Sequence, residues 1–159
     1  MGMVWELYRV SDDEIEEFAN MDFDKLEEYL SENYSFIYGK YHKENDIVFP
    51  MDKGWDITRF LLKETDSSKD KIFNALDGRF IKSDVVKLMD KLFLSINTDG
   101  LREYRDMKKM IENEIYLAKR LSEWDDENFW EYIGFHIRTF KSAFSKAAKF
   151  EHGIVINRT

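Results

Sequence analysis

The chain has 159 residues, no cysteine and one proline, with 43% hydrophobic, 16% aromatic and 35% charged residues and a formal net charge of -8. Thirteen Phe, eight Tyr and four Trp supply enough large apolar surface for a packed core, and the length suits a single domain spanning 1–159 at the usual ~100–200 residues. The lack of cysteine excludes disulfides, thiolate metal sites and cysteine nucleophiles, and the pI of about 5.0 disfavours nucleic acid, whose binding rests on neutralised phosphates.

Mean hydropathy is -0.55, and no apolar run approaches the ~20 residues of a membrane span. The opening residues lack the basic and apolar regions of a secretory signal, and Glu6 stands where a myristoylation signal needs Ser or Thr. The expectation is a cytoplasmic monomer. Acidity is confined to one segment: residues 1–33 hold 11 acids and two bases, and the remainder is nearly neutral.

In chain order, Val4–Val10 reads as a short strand. Ser11 and Glu14 form a capping box that opens a helix burying Ile15 and Phe18. Leu26, Tyr29 and Leu30 mark a second short helix. Helical periodicity fails from Asn33 to Met51, which predicts a loop with a strand at Ile47–Phe49. Asp52 is the expected cap of a helix running to about Glu64. A polar loop over 65–71 precedes a short helix at Ile72–Leu76, a turn at Asp77-Gly78 and an edge strand at Arg79–Ile81.

Ser83 is the expected cap of the next helix, with Val85, Leu88, Met89, Leu92 and Ile96 on its apolar face. Leu101–Leu121 reads as one or two helices. The last helix carries two adjoining apolar stripes, Phe129-Ile133-Ile137-Phe140-Phe144 and Tyr132-Phe135-Ala143-Ala147, so more than half its circumference should be buried. Acids at its start and bases at its end match the helix dipole. Gly153 is the expected stop, and Ile154–Ile156 a terminal strand. Roughly two thirds of the chain reads as helix by periodicity. Isolated short strands leave backbone groups unpaired, so the terminal strands should share one small sheet in a helix-rich α+β fold.

Two clusters carry functional readings. The first is Asp52, Lys53, Trp55 and Arg59, joined by Arg79. Trp55 and Arg59 are one turn apart, which would lay a guanidinium over the indole, and Lys53 sits near free helical N–H groups. This pattern fits either an anion or carboxylate pocket or, as the favoured reading, a capped helix whose Trp is core.

The second is the acidic run of Asp12, Asp13, Glu16 and Glu17. Acids favour a helix start, but the like charges of Asp13 and Glu17 at i, i+4 repel, and a basic protein partner would relieve them. The basic stretch His136–Lys149 is expected to pair with this acidic segment. His136 lies beside the apolar stripe, and His152 sits at a helix C-terminus where the dipole favours its charge. No histidine pair has zinc-ligand spacing, and no P-loop, GxGxxG or GxSxG motif occurs, so neither metal nor cofactor is expected.

Read together, these motifs resemble the YfbM-like family. The resemblance is carried by Met1-Gly2-Met3 ahead of Tyr8-Arg9-Val10-Ser11-Asp12, by Met51–Leu62 with its Asp52-Lys53-x-Trp55, and by Arg79-Phe80-Ile81, Ile115-Tyr116, Lys146-Ala147-Ala148 and Gly153–Ile156 in family order. It covers nearly the whole chain, with residues 19–47 the least alike. It implies a small bacterial mixed α/β domain without an established activity. Arg59 stands where family members commonly carry His, and the family's glycine-rich hairpin is reduced to Asp77–Phe80. Two classes of function therefore remain: a non-catalytic, regulatory or immunity-like binding protein, and a small-molecule binder or hydrolase-like enzyme with a pocket near the Asp52–Trp55 segment.

Overall fold

A computed structural model describes residues 3–65 and 70–159. Met1-Gly2 and most of the expected 65–71 loop lie outside the described residues. The elements run β1 (Trp5–Val10), α1 (Asp12–Ala19), α2 (Phe23–Tyr34), β2 (Val48–Asp52), α3 (Trp55–Glu64), α4 (Asp70–Asn74), a 3-10 turn (Ala75–Asp77), β3 (Phe80–Ile81), α5 (Ser83–Ser95), a second 3-10 segment (Asp99–Tyr104), α6 (Met107–Glu112), α7 (Ala118–Leu121), α8 (Asp126–Lys149) and β4 (Gly153–Arg158).

The strands form one antiparallel sheet in the order β2-β1-β4-β3. The terminal strands β1 and β4 are its centre, paired from Trp5↔Arg158 to Val10↔Gly153. Side chains alternate across this sheet with period two. Trp5, Leu7, Phe49, Met51, Ile154 and Ile156 enter a large core with α3, α5 and α8. Tyr8, Val10, Val48 and Val155 enter a smaller core with Ile15, Phe18, Leu26, Leu30 and Tyr34 from α1 and α2. The sheet is thus the middle of three layers, with the acidic helices and the following loop on one side.

Capping departs from the sequence reading at three places. Asp52 ends β2 with φ 43°, and α3 starts after Gly54, whose side-chain-free position offers no cap. Ser83 is the first residue of α5 rather than its cap: its N–H and Oγ donate to the Asp12 carboxylate at 2.9 and 2.6 Å. An acid of α1 therefore caps α5 across the fold. Gly153 opens β4 instead of stopping α8. Phe150 ends the helix, and Glu151 adopts the left-handed turn at φ 54°. Position 153 must be glycine for a different reason, since a Cβ there would lie 2.3 Å from Ile15 Cδ1 and 2.5 Å from the Ile81 carbonyl oxygen.

The 101–121 stretch is shorter in helix than its periodicity suggests. Glu114 and Leu117 take left-handed φ values of 55° and 66°, which break it into α6 and α7. Leu88 and Phe135, assigned to apolar stripes, are 53% exposed. α8 buries ten residues on its remaining faces.

Because β4 lies between β1 and β3, deletion of residues 153–159 removes one partner of β1 and the described partner of β3. The truncated chain is expected to lose its cooperative thermal transition in circular dichroism. A melting temperature within a degree or two of the full chain would contradict this topology.

Candidate functional site

The β2–α3 turn places Asp52, Lys53, Gly54 and Trp55 against α8. Gly54 makes the closest approach: a Cβ on it would sit 2.2 Å from His136 Cδ2, so the backbone lies directly on the imidazole. Trp55 does not meet Arg59. Its ring stacks on Trp5, with centroids 4.3 Å apart and planes 4° off parallel, and faces Tyr116 at 6.0 Å on its other side. Trp55 Nε1 donates to the Met3 carbonyl at 3.1 Å. The Arg158 guanidinium covers the far face of Trp5, 4.7 Å from the centroid.

The five residues grouped by sequence do not converge. Asp52 is exposed and Lys53 half-buried at the turn, one residue before the Gly54 cap and outside the first helical turn. Arg59 pairs with Asp56 at 3.3 Å and with Asp77, which occupies the guanidinium meant for the indole. Arg79 lies toward α2, where it pairs with Glu27 and reaches Asn157 Oδ1 at 3.2 Å. Asp56, singled out by no sequence signal, is buried and accepts from the Tyr116 N–H at 2.8 Å.

Sequence reasoning missed the residues that Asp52 does accompany. Tyr132 and His136, one turn apart on α8, stand edge to face at 4.6 Å, and Trp124 meets Tyr132 at 5.6 Å. Burial pushes the Tyr132 phenol up to about 12, reinforced by the Asp52 charge. His136 is 3% exposed, and its Nδ1 has no hydrogen-bond partner. Burial lowers its pKa, and Asp52 opposes that only in part. His136 was visible in the sequence as a histidine beside an apolar stripe. Its role as the surface on which Gly54 packs was not, because only the fold brings residue 54 to α8.

The acidic candidates divide as well. Asp12 is consumed as the α5 cap, and Glu16 pairs with Lys82 at 3.0 Å. Asp13 and Glu17 are exposed and make no ion pair among the described residues. None of the described ion pairs joins the His136–Lys149 stretch to residues 12–33, so the expected pairing does not form. Lys141 instead donates to the Ile96 carbonyl at 3.1 Å, capping the end of α5. His152 is also not a dipole-stabilised cation. Burial, then the Arg9 guanidinium 2.8 Å from its Nδ1, lowers its pKa. Among the described residues, no three His, Asp or Glu side chains gather as a metal site requires, and no described helix is long and apolar enough to cross a membrane.

Residues 1–157 match the profile of the family described as Domain of unknown function (DUF1877). The chain belongs to that family. A DUF1877 domain with this three-layer arrangement is also similar to a solved structure, YfbM from Escherichia coli, a protein of unknown function. The two share 14% identity with a TM-score of 0.68, over 98% of this chain and 99% of that one. This likeness carries the fold alone. Among curated proteins, none matches.

The histidines make stability of this DUF1877 domain pH-dependent in a defined direction. Burial lowers both His136 and His152 below the ordinary 6.5. The unfolded chain therefore binds their protons first on acidification, and their contribution is complete above about 6.5 and lost as pH falls below it. Urea unfolding is expected to show falling stability from pH 7 to 5, with a shallower slope in His136→Gln. An unchanged slope would show that His136 does not titrate differently in the two states.

Proposed function

We propose that the chain is a non-catalytic, cytosolic binding protein, regulatory in the manner of an immunity protein, whose α1–α2 layer docks on a basic protein partner. One observation carries this reading. On that layer Asp13, Glu17, Asp24, Glu28 and Glu32 are all exposed, and none makes an ion pair among the described residues. The like-charged pairs Asp13/Glu17 and Glu28/Glu32 at i, i+4 each cost about 0.2–0.5 kcal/mol in the free protein. A basic partner surface relieves that cost.

Apolar surface adjoins the charge. Phe23 is 69% exposed on α2, and Ile37 and Tyr38 in the following loop are 77% and 70% exposed. Exposed large apolar side chains next to charge suit a protein interface. The pocket reading loses support from the same structure, because Trp55 is stacked in the core and Arg59 and Arg79 are already neutralised.

A localised field of this kind acts on association rate, over about a Debye length of ~8 Å at physiological salt. The test begins with proteins retained from lysate by the wild-type domain and continues with surface plasmon resonance. Asp12 and Glu16 are spared, since they hold the fold. The fourfold variant Asp13→Asn, Glu17→Gln, Glu28→Gln, Glu32→Gln is expected to keep or slightly raise stability, to slow association about tenfold at low salt, and to flatten its salt dependence. Equal rates and equal salt slopes would contradict the proposal.

A further inference from the structure

On the opposite side of the sheet from the acidic layer, the α7–α8 corner carries a shallow, solvent-open cavity of about 620 Å³ lined by Glu123, Trp124, Asp125, Asn128, Glu131 and Tyr132. Two of its walls are aromatic rings at 68° to each other with centroids 5.6 Å apart. The remaining charged walls are carboxylates, and no base lines it. From this combination we infer that the cavity binds an organic cation of the alkylated-ammonium class, independently of any protein partner at α1–α2.

The carboxylates alone would describe any solvated helix start. The rings make the difference. A ring face carries partial negative charge and attracts a poorly hydrated cation, and two rings set at an angle offer a corner for a methylated head that a small metal ion would not prefer. Trp124 is 37% exposed, whereas Trp5, Trp55 and Trp130 are 2%, 9% and 8% exposed. One indole of four is therefore presented to solvent, and it is the one beside Tyr132.

The walls are held in place before any ligand arrives. Arg105 donates to the Trp124 carbonyl at 3.3 Å, and the Trp124 N–H donates to the Leu121 carbonyl at 3.1 Å. Tyr132 rests edge-on against His136, which Gly54 wedges from behind. The Asp125 carboxylate accepts from the Asn128 N–H at 2.8 Å and from Asn128 Nδ2 at 2.7 Å, bonds that lower its pKa and keep it ionised. The nearby Arg105 donates to Asp126 and to backbone, and its charge also helps lower the Asp125 pKa. Preorganised walls reduce the ordering cost of binding.

The test is ligand-observed NMR of tetramethylammonium with the full chain, against tert-butanol as a neutral group of similar size and sodium chloride at matched ionic strength. Saturable tetramethylammonium binding is expected, with affinity about three- to tenfold weaker in Trp124→Ala and also reduced in Glu131→Gln. Circular dichroism melts confirm that both surface variants fold. Equal binding of tert-butanol, displacement by sodium at matched strength, or unchanged affinity in folded Trp124→Ala would each overturn the inference.

Discussion

The parallel stack of Trp5 on Trp55 is the contact on which the rest of the arrangement depends. It joins the first strand to α3, and Arg158 on the outer face of Trp5 adds the last strand. The same guanidinium donates to the carbonyls of Leu76, Asp77 and Gly78, at 2.8, 3.2 and 2.9 Å, and so fixes the turn that leads into β3. Chain segments far apart in sequence are thereby tied at one corner. The stack also has a cost. Trp5 Nε1 is buried without a partner, a loss of about 1–3 kcal/mol. Ring stacking contributes about 0.5–1.5 kcal/mol and the cation contact about 0.5–2 kcal/mol, which together offset it. The net gain is the burial of two indoles, at about 25 cal/mol per Å² over ~150–250 Å² each.

That corner explains why the Asp52–Arg59 segment is structural at one end and free at the other. Trp55 is locked into the stack, and Arg59 is drawn outward to Asp56 and Asp77. Gly54 is then carried onto His136, which steadies Tyr132 at the lip of the α7–α8 cavity. On the other side of the sheet, α1 and α2 are held by apolar packing and by three polar ties to the β3–α5 region: Asp12 to Ser83, Glu16 to Lys82, and Glu27 to Arg79. The carboxylates these ties do not use remain at the surface. Each of these two helices turns its apolar residues to the smaller core and its unpaired carboxylates to solvent, so the domain presents an acidic face without burying that charge.

Local signals in the sequence were sufficient for much of this. The Ser11–Glu14 capping box is present in both directions, and the stripes of α8 bury Phe129, Ile133, Ile137, Phe140 and Phe144 as their spacing implies. Pairing of the terminal strands followed from the cost of leaving short strands alone. Long-range facts were not legible. Asp12 lies 71 residues from Ser83, so its role as the α5 cap has no local signature. Gly153 sits one turn past a helix, as a stop signal would, yet its need is steric and set by Ile15 and Ile81. Helical spacing brought Arg59 within reach of Trp55, but Asp56 and Asp77 compete for the guanidinium and Trp5 for the ring. Trp124 and Tyr132 carried no motif, since an aromatic corner exists only once α7 and α8 are placed.

The central claim, that Trp5 and Trp55 act as one unit, is tested most directly by a double-mutant cycle in urea unfolding with Trp5→Ala, Trp55→Ala and the double variant. Each single change is expected to cost about 3–5 kcal/mol as a buried aromatic. The double variant should cost less than their sum by about 1 kcal/mol or more, the coupling of a direct ring contact. Additivity within about 0.5 kcal/mol would mean that the two indoles are buried side by side without depending on each other, and would contradict the account.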